Sequence, residues 1–296
     1  MNTLTLLVGL PASGKSTFAR EHLANDNTII LSSDDLRKEL LGNESYQDNN
    51  DLVFKSLYKR AKEFLQNGKN VVIDATNINI KARRSALSHF DKMPIIRQAL
   101  VFATPYFVCV DRDKKRERTV GKNVIKKYIQ RFEIPMEYEG FDFVDIIHDD
   151  VHYDILTFCK QMCGFEQHNP HHKHTLDNHC INCMELVENK TKNKNLICSA
   201  NIHDLGKLFT QTFDENGIAH YYSHHNVGAY LLMCCFNDKI NREVLFYVNF
   251  HMQPFFWKEQ KTHDKYKKLF GEELYNNLMI LHECDKIASG TQGELK

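Results

Sequence analysis

Two groups of residues in this 296-residue chain have the types and spacing of reactive chemistry. Near the start, Gly9-Leu10-Pro11-Ala12-Ser13-Gly14-Lys15-Ser16-Thr17 follows the P-loop pattern Gly-x-x-x-x-Gly-Lys-Ser. Its chemistry is electrostatic. Gly9, Ser13 and Gly14 let backbone N–H groups close on phosphate oxygens, Lys15 bridges the terminal phosphates, Ser16 ligates magnesium and Thr17 completes the cradle. The pattern calls for ATP with Mg2+. Several residues further on could complete a transfer site. Asp34, after the second strand-like run, could take the proton of an attacking hydroxyl. Arg37 shares its face if a helix begins there, and Asp35 suits the cap of that helix. Asp74 closes the run Val71-Val72-Ile73-Asp74, where a carboxylate could hold a magnesium-bound water. Arg83-Arg84 suit either an anionic substrate or solvent. Arg112 and Arg116, four apart in a charged run, would point the same way in a lid.

The second group lies in the other half. Thirteen of 16 histidines and eight of nine cysteines follow residue 150. His179, the pair His203-Asp204, His224, His251 and Asp285 form an ordered set that helices packed side by side could bring onto metal. Imidazole with carboxylate suits manganese, iron, cobalt, nickel, zinc or magnesium, which would acidify a bound water and polarise a phosphoryl oxygen. His171, His172, His174, His220 and His263 read as loop or surface residues. Cys180-x-x-Cys183 reads as two buried thiols on a helix rather than half of a zinc site, because no second pair has matching spacing.

These residues need elements to position them. Short apolar runs at Thr3–Val8, Asn27–Leu31, Asn70–Ile73, Gln98–Phe102 and Phe141–Ile147 alternate with helical stretches, notably Asp51–Gln66 and Ile80–Phe90. That alternation predicts an α/β domain, a parallel sheet with helices on both faces. From about Tyr153 the apolar spacing turns helical, at Thr175–Val187, Val227–Phe236, Arg242–His251 and Glu272–Ala288. An all-α domain is therefore expected after the α/β one, with domains at 1–150 and 151–296, an entry loop at Asn169-Pro170 and an exposed loop at Lys190–Asn195.

Net charge is zero, +2 in the first 150 residues and −2 in the rest, so any nucleic-acid contact must come from a local patch. No apolar run reaches the roughly 18 residues of a membrane span, and no membrane partner is expected. Met1-Asn2-Thr3 leads straight into a strand without a basic region, unlike a signal peptide. An odd number of cysteines beside an ATP-type motif suggests a reducing, cytoplasmic setting.

Residues 1–150 resemble the 5′-polynucleotide kinase family, typified by the kinase half of the bacteriophage polynucleotide kinase–phosphatase. The likeness lies in the P-loop, Asp34-Asp35-Leu36-Arg37, Asp74-Ala75-Thr76-Asn77 and the lid arginines. It implies that Lys15 and Ser16 hold ATP phosphates and magnesium, that Asp34 is the general base on a 5′-hydroxyl, that Arg37 contacts the neighbouring nucleic-acid phosphate, and that Arg112 and Arg116 grip ATP. Ser33 stands where the phage enzyme has an arginine. Residues 165–290 resemble the HD superfamily, particularly the HD domains attached to some tRNA nucleotidyltransferases. This likeness rests on Asn169 to His179, His203-Asp204-Leu205-Gly206-Lys207, Ser223 to Ala229, His251 and Asp285; Cys284 replaces the usual alanine before Asp285. It implies a divalent transition metal such as Mn2+, Ni2+ or Co2+ on His179, His203, Asp204 and Asp285, a second on His224 and His251, and substrate phosphate on Lys207. Together the two likenesses imply an enzyme that heals RNA or DNA ends. It would phosphorylate 5′-OH ends and remove 3′-phosphate or 2′,3′-cyclic phosphate, leaving sealing to a separate RNA ligase. The alternatives are a small-molecule or nucleotide kinase fused to a nucleotidase, and a kinase with a non-catalytic, nucleotide-sensing second half.

Overall fold

Thr3–Val8 is buried on both of its faces from Leu4 onward, as befits a strand inside a sheet covered on both sides. The computed structural model, which describes residues 1–44, 46, 49–235 and 240–290, places it there as strand β1. The chain continues through α1 (Lys15–Phe18), a π-helical turn over Ala19–Leu23, β2 (Thr28–Ser32), α2 (Ser33–Leu41), α3 (Asn50–Gln66), β3 (Asn70–Asp74) and α4 (Ile80–Ser88). Next come β4 (Ile96–Ala103), α5 (Tyr106–Lys114), α6 (Lys122–Ile129) and β5 (Phe143–His148). The strands lie in the order β2-β3-β1-β4-β5, all parallel. The central strand β1 has neighbours on both sides, with Leu6 level with Ile73 and with Ala99. The loop leaving β1 therefore opens at the carboxyl edge, where ligands of such sheets bind.

The rest of the described chain is helical apart from one short ribbon. It comprises α7 (Ile155–Met162), α8 (Leu176–Lys190), α9 (Lys194–Ile202) and α10 (Lys207–Thr210), then the antiparallel pair β6 (Thr212–Phe213) and β7 (Ala219–His220). It ends with α11 (His224–Met233), α12 (Arg242–Phe250), α13 (Gln260–Phe270) and α14 (Glu272–Ala288). α8 packs on α9 and α14, and α12 on α9 and α11. One backbone approach is very close: a Cβ added to Gly206 would lie 2.0 Å from the His224 carbonyl oxygen and 2.6 Å from the Gly228 nitrogen. Only glycine lets α11 come in so near.

The chain divides into two compact units, but not at one cut near 150. Met1–Lys126 and Pro135–Val151 form the first; Lys127–Ile134 joins the chain from His152 onward in the second. Asn249, buried on α12, accepts the Ile134 N–H at 2.7 Å and donates to the Phe132 carbonyl at 3.0 Å and to Asn226 Oδ1 at 3.0 Å. Asn226 in turn donates to the Gln130 carbonyl at 2.7 Å, and Phe132 packs edge-on against Tyr230. Two amides more than ninety residues away thus capture a backbone segment, which no local pattern reveals. Other departures are smaller. α11 begins at His224, earlier than the expected Val227–Phe236, whose residue 236 lies outside the described residues, as do residues 291–296 of the expected second domain. α9 begins within the expected loop Lys190–Asn195, and α13 and the ribbon β6–β7 were not anticipated.

Candidate functional site

The loop after β1 is tied to the chain after β3 by the Gly9 N–H, which donates to the Thr76 carbonyl at 3.1 Å. Gly9 has no room for a side chain: a Cβ there would stand 2.9 Å from Ser13 Oγ and 3.1 Å from Phe102 Cβ. Gly14 is left-handed, φ 92°, and α1 starts directly after it, so Lys15, Ser16 and Thr17 form the first helical turn. Lys15 is buried and folds back over its own loop, Nζ donating to the Leu10 carbonyl at 2.6 Å and approaching Ser13 Oγ at 3.4 Å. Burial pushes its ammonium below the usual range; Asp74 and Asp34 oppose this shift and Arg116 adds to it. A phosphate beside it would favour the charged form. Asp74 is buried at the end of β3, level with Ser32 on β2, and could hold a magnesium-bound water beside Ser16. A cavity of about 540 Å³ lined by Gly14, Thr17, Phe18, His22, Arg112 and Asp149 adjoins the loop.

On the acceptor side, Ser32 caps α2: its Oγ accepts the Asp35 N–H at 3.2 Å, so the cap is Ser32 and not Asp35. Asp34 is thereby free to point outward, its side chain 52 % exposed. Arg37 is buried. Its Nη1 holds Asp34 Oδ1 at 2.7 Å and its Nη2 donates to Asn50 Oδ1 at 2.9 Å, so it positions Asp34. Arg118 approaches the other Asp34 oxygen at 3.4 Å. The lid differs from expectation. Asp113 is buried and accepts the N–H groups of Val120 at 3.1 Å and Gly121 at 2.8 Å, which turns the chain, and α5 stops at Lys114. Arg112 and Arg116 therefore do not share one helical face. Arg112 pairs with Asp149 at 2.7 Å, whereas Arg116 acts on Lys15. Arg83 meets neither solvent nor substrate. It is fully buried, in a two-pronged pair with Glu139 at 2.7 Å for each prong, and donates to the Asn77 carbonyl at 3.1 Å. Asn77 donates to the Leu7 carbonyl at 2.9 Å, so this chain of bonds braces the loop after Asp74 against β1.

In the second unit, α8 supplies His179, the end of α9 His203 and Asp204, the start of α11 His224, the end of α12 His251 and α14 Asp285; all six are buried. Asp204 divides them. Its Oδ2 lies 3.3 Å from His179 Nε2 and 3.5 Å from His203 Nε2, and its Oδ1 lies 3.0 Å from His224 Nε2 and 3.4 Å from His251 Nε2. Asp285 Oδ1 joins the first set, 3.1 Å from His179 and 3.5 Å from His203. Three rings are oriented by nearby backbone: Nδ1 of His203, His224 and His251 each meets the carbonyl three residues earlier at 2.8 Å. A carbonyl can only accept, so Nδ1 carries a hydrogen, and whenever the ring is neutral Nε2 presents its lone pair inward. The Nε2 atoms of His224 and His251 lie 3.1 Å apart, an approach that a shared hydrogen or a bound cation can each satisfy. Both sets have the donor types and closeness to hold a metal ion. The carboxylates pull His179 up to about 9 against the effect of burial, and hold His203 high as well, while Lys207 and the imidazoles keep Asp204 low. Protons on these rings stand where a metal's charge would go. Lys207 is buried with all three of its N–H donors directed at protein: Asp204 Oδ2 at 2.7 Å, Gln167 Oε1 at 2.8 Å and His172 Nε2 at 3.1 Å. In this arrangement it neutralises Asp204, and His172, expected on the surface, is one of its partners.

Residues 4–135 match the family described as the AAA domain. That match covers the P-loop, the Asp34 to Arg37 segment and the charged run from Arg112 to Arg118. The N-terminal half is a P-loop kinase-like domain. Over 157 residues the chain is 29 % identical to the L-seryl-tRNA(Sec) kinase of Methanococcus maripaludis, covering 49 % of this chain and 58 % of that one. It is 28 % identical to the transcription factor bHLH140 of Arabidopsis thaliana over 51 % of this chain and 16 % of that one. The chain thus spans a little over half of the first relative and less of the second. Among solved structures, a chain of the Pnkp1/Rnl/Hen1 RNA repair complex is 28 % identical with a TM-score of 0.41, over 44 % of this chain and 43 % of that one.

Within the P-loop kinase-like domain, the sequence reading missed Asp149, Arg118 and Glu139. Asp149 had a usable signal, since it follows β5 at the sheet edge where Asp74 ends β3. Glu139 had none, because its partner Arg83 is 56 residues away. Cys109 sits near Lys15, but burial pushes its thiol up to about 12, so it stays protonated. Cys180 and Cys183 are buried free thiols.

Proposed function

We propose that this chain heals nucleic-acid ends, with RNA as the main substrate, by two independent reactions. The observation that carries the reading is the pairing, in one chain, of an outward-facing Asp34 near a P-loop lysine with a buried cluster of two carboxylates and four imidazoles. In the first reaction Asp34 takes the proton of a 5′-hydroxyl, whose oxygen bonds to the γ-phosphorus of ATP as the bond to ADP breaks. Lys15, the loop N–H groups, Arg112 and Arg116 neutralise the phosphates, and Ser16 and Asp74 hold Mg2+. Arg37 keeps Asp34 in place. The relative named L-seryl-tRNA(Sec) kinase supports an acceptor hydroxyl carried on RNA.

The second half is read as an HD phosphohydrolase, on the order and clustering of His179, His203, Asp204 and Asp285 with His224 and His251. A divalent transition metal bound there, Mn2+, Ni2+ or Co2+, would acidify a water and polarise a phosphoryl oxygen. Asp204, with one oxygen toward each set, is the residue suited to join two metal positions. Lys207 holds Asp204 ionised and would meet substrate only after releasing an acceptor, His172 being the one least buried. One water adds to the phosphorus of a 2′,3′-cyclic phosphate and opens it to a monoester; a second adds to the phosphorus of a 3′-monoester, releasing inorganic phosphate and leaving a 3′-OH. A separate RNA ligase would then join the healed ends. Among the described residues every cysteine is free, which supports a reducing, cytoplasmic setting; no helix there is long and apolar enough to cross a membrane.

The test is an end-labelled RNA carrying a 5′-OH and a 2′,3′-cyclic phosphate, with ATP and a panel of divalent metals. The expected product has a 5′-phosphate and a 3′-OH. Hydrolysis of free nucleotides alone would replace the end-healing reading with that of a kinase fused to a nucleotidase.

A further inference from the structure

Two guanidinium groups meet Asp34, and they differ in what they can still bind. Arg37 is 4 % exposed and committed, with short bonds to Asp34 and Asn50. Arg118 is about one-third exposed, and its contacts among the described residues are long: 3.4 Å to Asp34 Oδ2, 3.4 Å to Glu44 Oε1 and 3.3 Å to the Glu44 carbonyl. Contacts of that length between exposed charges contribute little, so a better acceptor displaces them readily. The surroundings need a cation. Asp34, Asp35 and Glu44 would repel an anionic acceptor arriving at Asp34, and Ser33 beside them is neutral. Arg118 is also held at a defined reach. It lies between α5 and the turn at Val120-Gly121, whose N–H groups are bound by the buried Asp113.

We propose that Arg118 binds the phosphodiester next to the acceptor hydroxyl, and so makes the P-loop site select nucleic-acid ends over uncharged alcohols. This rests on the reading of Asp34 as the base for a 5′-hydroxyl. In a 5′-OH strand the first internucleotide phosphate lies only a sugar's width from that hydroxyl. A guanidinium beside the base meets it with a two-pronged bond, the geometry arginine offers and lysine does not. Arg37 then serves Asp34, and Arg118 serves the substrate.

The experiment uses the full chain and two 5′-OH RNA oligonucleotides, identical except that in one the first linkage is an uncharged methylphosphonate. ATP-dependent 5′ phosphorylation is followed for the wild type, Arg118→Ala and Arg118→Lys. For the wild type, the uncharged linkage is expected to raise KM about tenfold, the usual worth of one charge-assisted contact. Arg118→Ala is expected to show that raised KM with the ordinary RNA, little change in kcat, and indifference to the linkage; Arg118→Lys recovers part of the loss. The proposal is overturned if the wild type ignores the linkage charge, or if Arg118→Ala stays as sensitive to it as the wild type. It is equally overturned if the variant loses kcat rather than KM, which would make Arg118 a second support for Asp34. If the wild type phosphorylates neither RNA but does phosphorylate small hydroxyl compounds, the reading of the acceptor site itself fails, and this proposal with it.

Discussion

The two reactive regions are built in opposite ways. The phosphate loop is nine consecutive residues, Gly9 to Thr17, and its working groups are largely backbone N–H groups at a strand-to-helix turn. The buried cluster draws its donors from residues between 179 and 285, and every working atom belongs to a side chain. A site made of backbone needs the right local conformation and little else. A site made of distant side chains exists only while several helices hold their spacing. Damage to the first should therefore stay local, whereas the second should fail from positions that never touch a ligand.

The sharpest test of that independence is a pair of substitutions. Lys15→Ala should lower 5′ phosphate transfer by roughly a hundredfold or more, the scale of losing a charged contact to the transition state. Metal content and 3′-end hydrolysis should remain. Asp204→Ala should do the reverse, because it removes the carboxylate that faces both imidazole sets. Bound metal, measured by elemental analysis after loading with Mn2+, should fall together with hydrolysis. Loss of kinase activity in Asp204→Ala would break the comparison.

The next effect should come from Gly206. Gly206→Ala drives a methyl into the His224 carbonyl and forces α11 outward, at about 1–3 kcal/mol for overpacking. We expect weakened metal binding and a lower Tm with near-normal 5′ transfer, although Gly206 carries no ligand atom. Retention of full metal affinity would show that the cluster tolerates movement of α11. Asn249→Ala should then cost about 1–3 kcal/mol by leaving the buried Ile134 N–H and Phe132 carbonyl without partners. Amide hydrogen exchange would show this as lost protection at residues 130–134. The smallest effect belongs to the exposed pair of Arg60 with Glu39. Arg60→Ala should leave Tm and both activities unchanged, since such pairs are screened by solvent.

The P-loop itself, the strand Thr3–Val8 and helix Glu272–Ala288 were legible in the sequence, because each is a local pattern: a loop motif, a short run of apolar and β-branched residues, a helical period. His179, His203, Asp204, His224, His251 and Asp285 could also be picked out in the sequence, as residue types able to bind metal, and the structure brings them close together. The tertiary structure decided what these residues do to one another. It gave the two Asp204 oxygens separate neighbours and turned all three donors of Lys207 onto protein. It buried Arg83 against Glu139 instead of exposing it, broke the expected common face of Arg112 and Arg116 through the bonds to Asp113, and placed residues 127–134 with the second unit. Each of these outcomes depends on polar groups finding partners far away in the chain. Hydrophobic burial writes a period into the sequence, but a single hydrogen bond between distant residues leaves none.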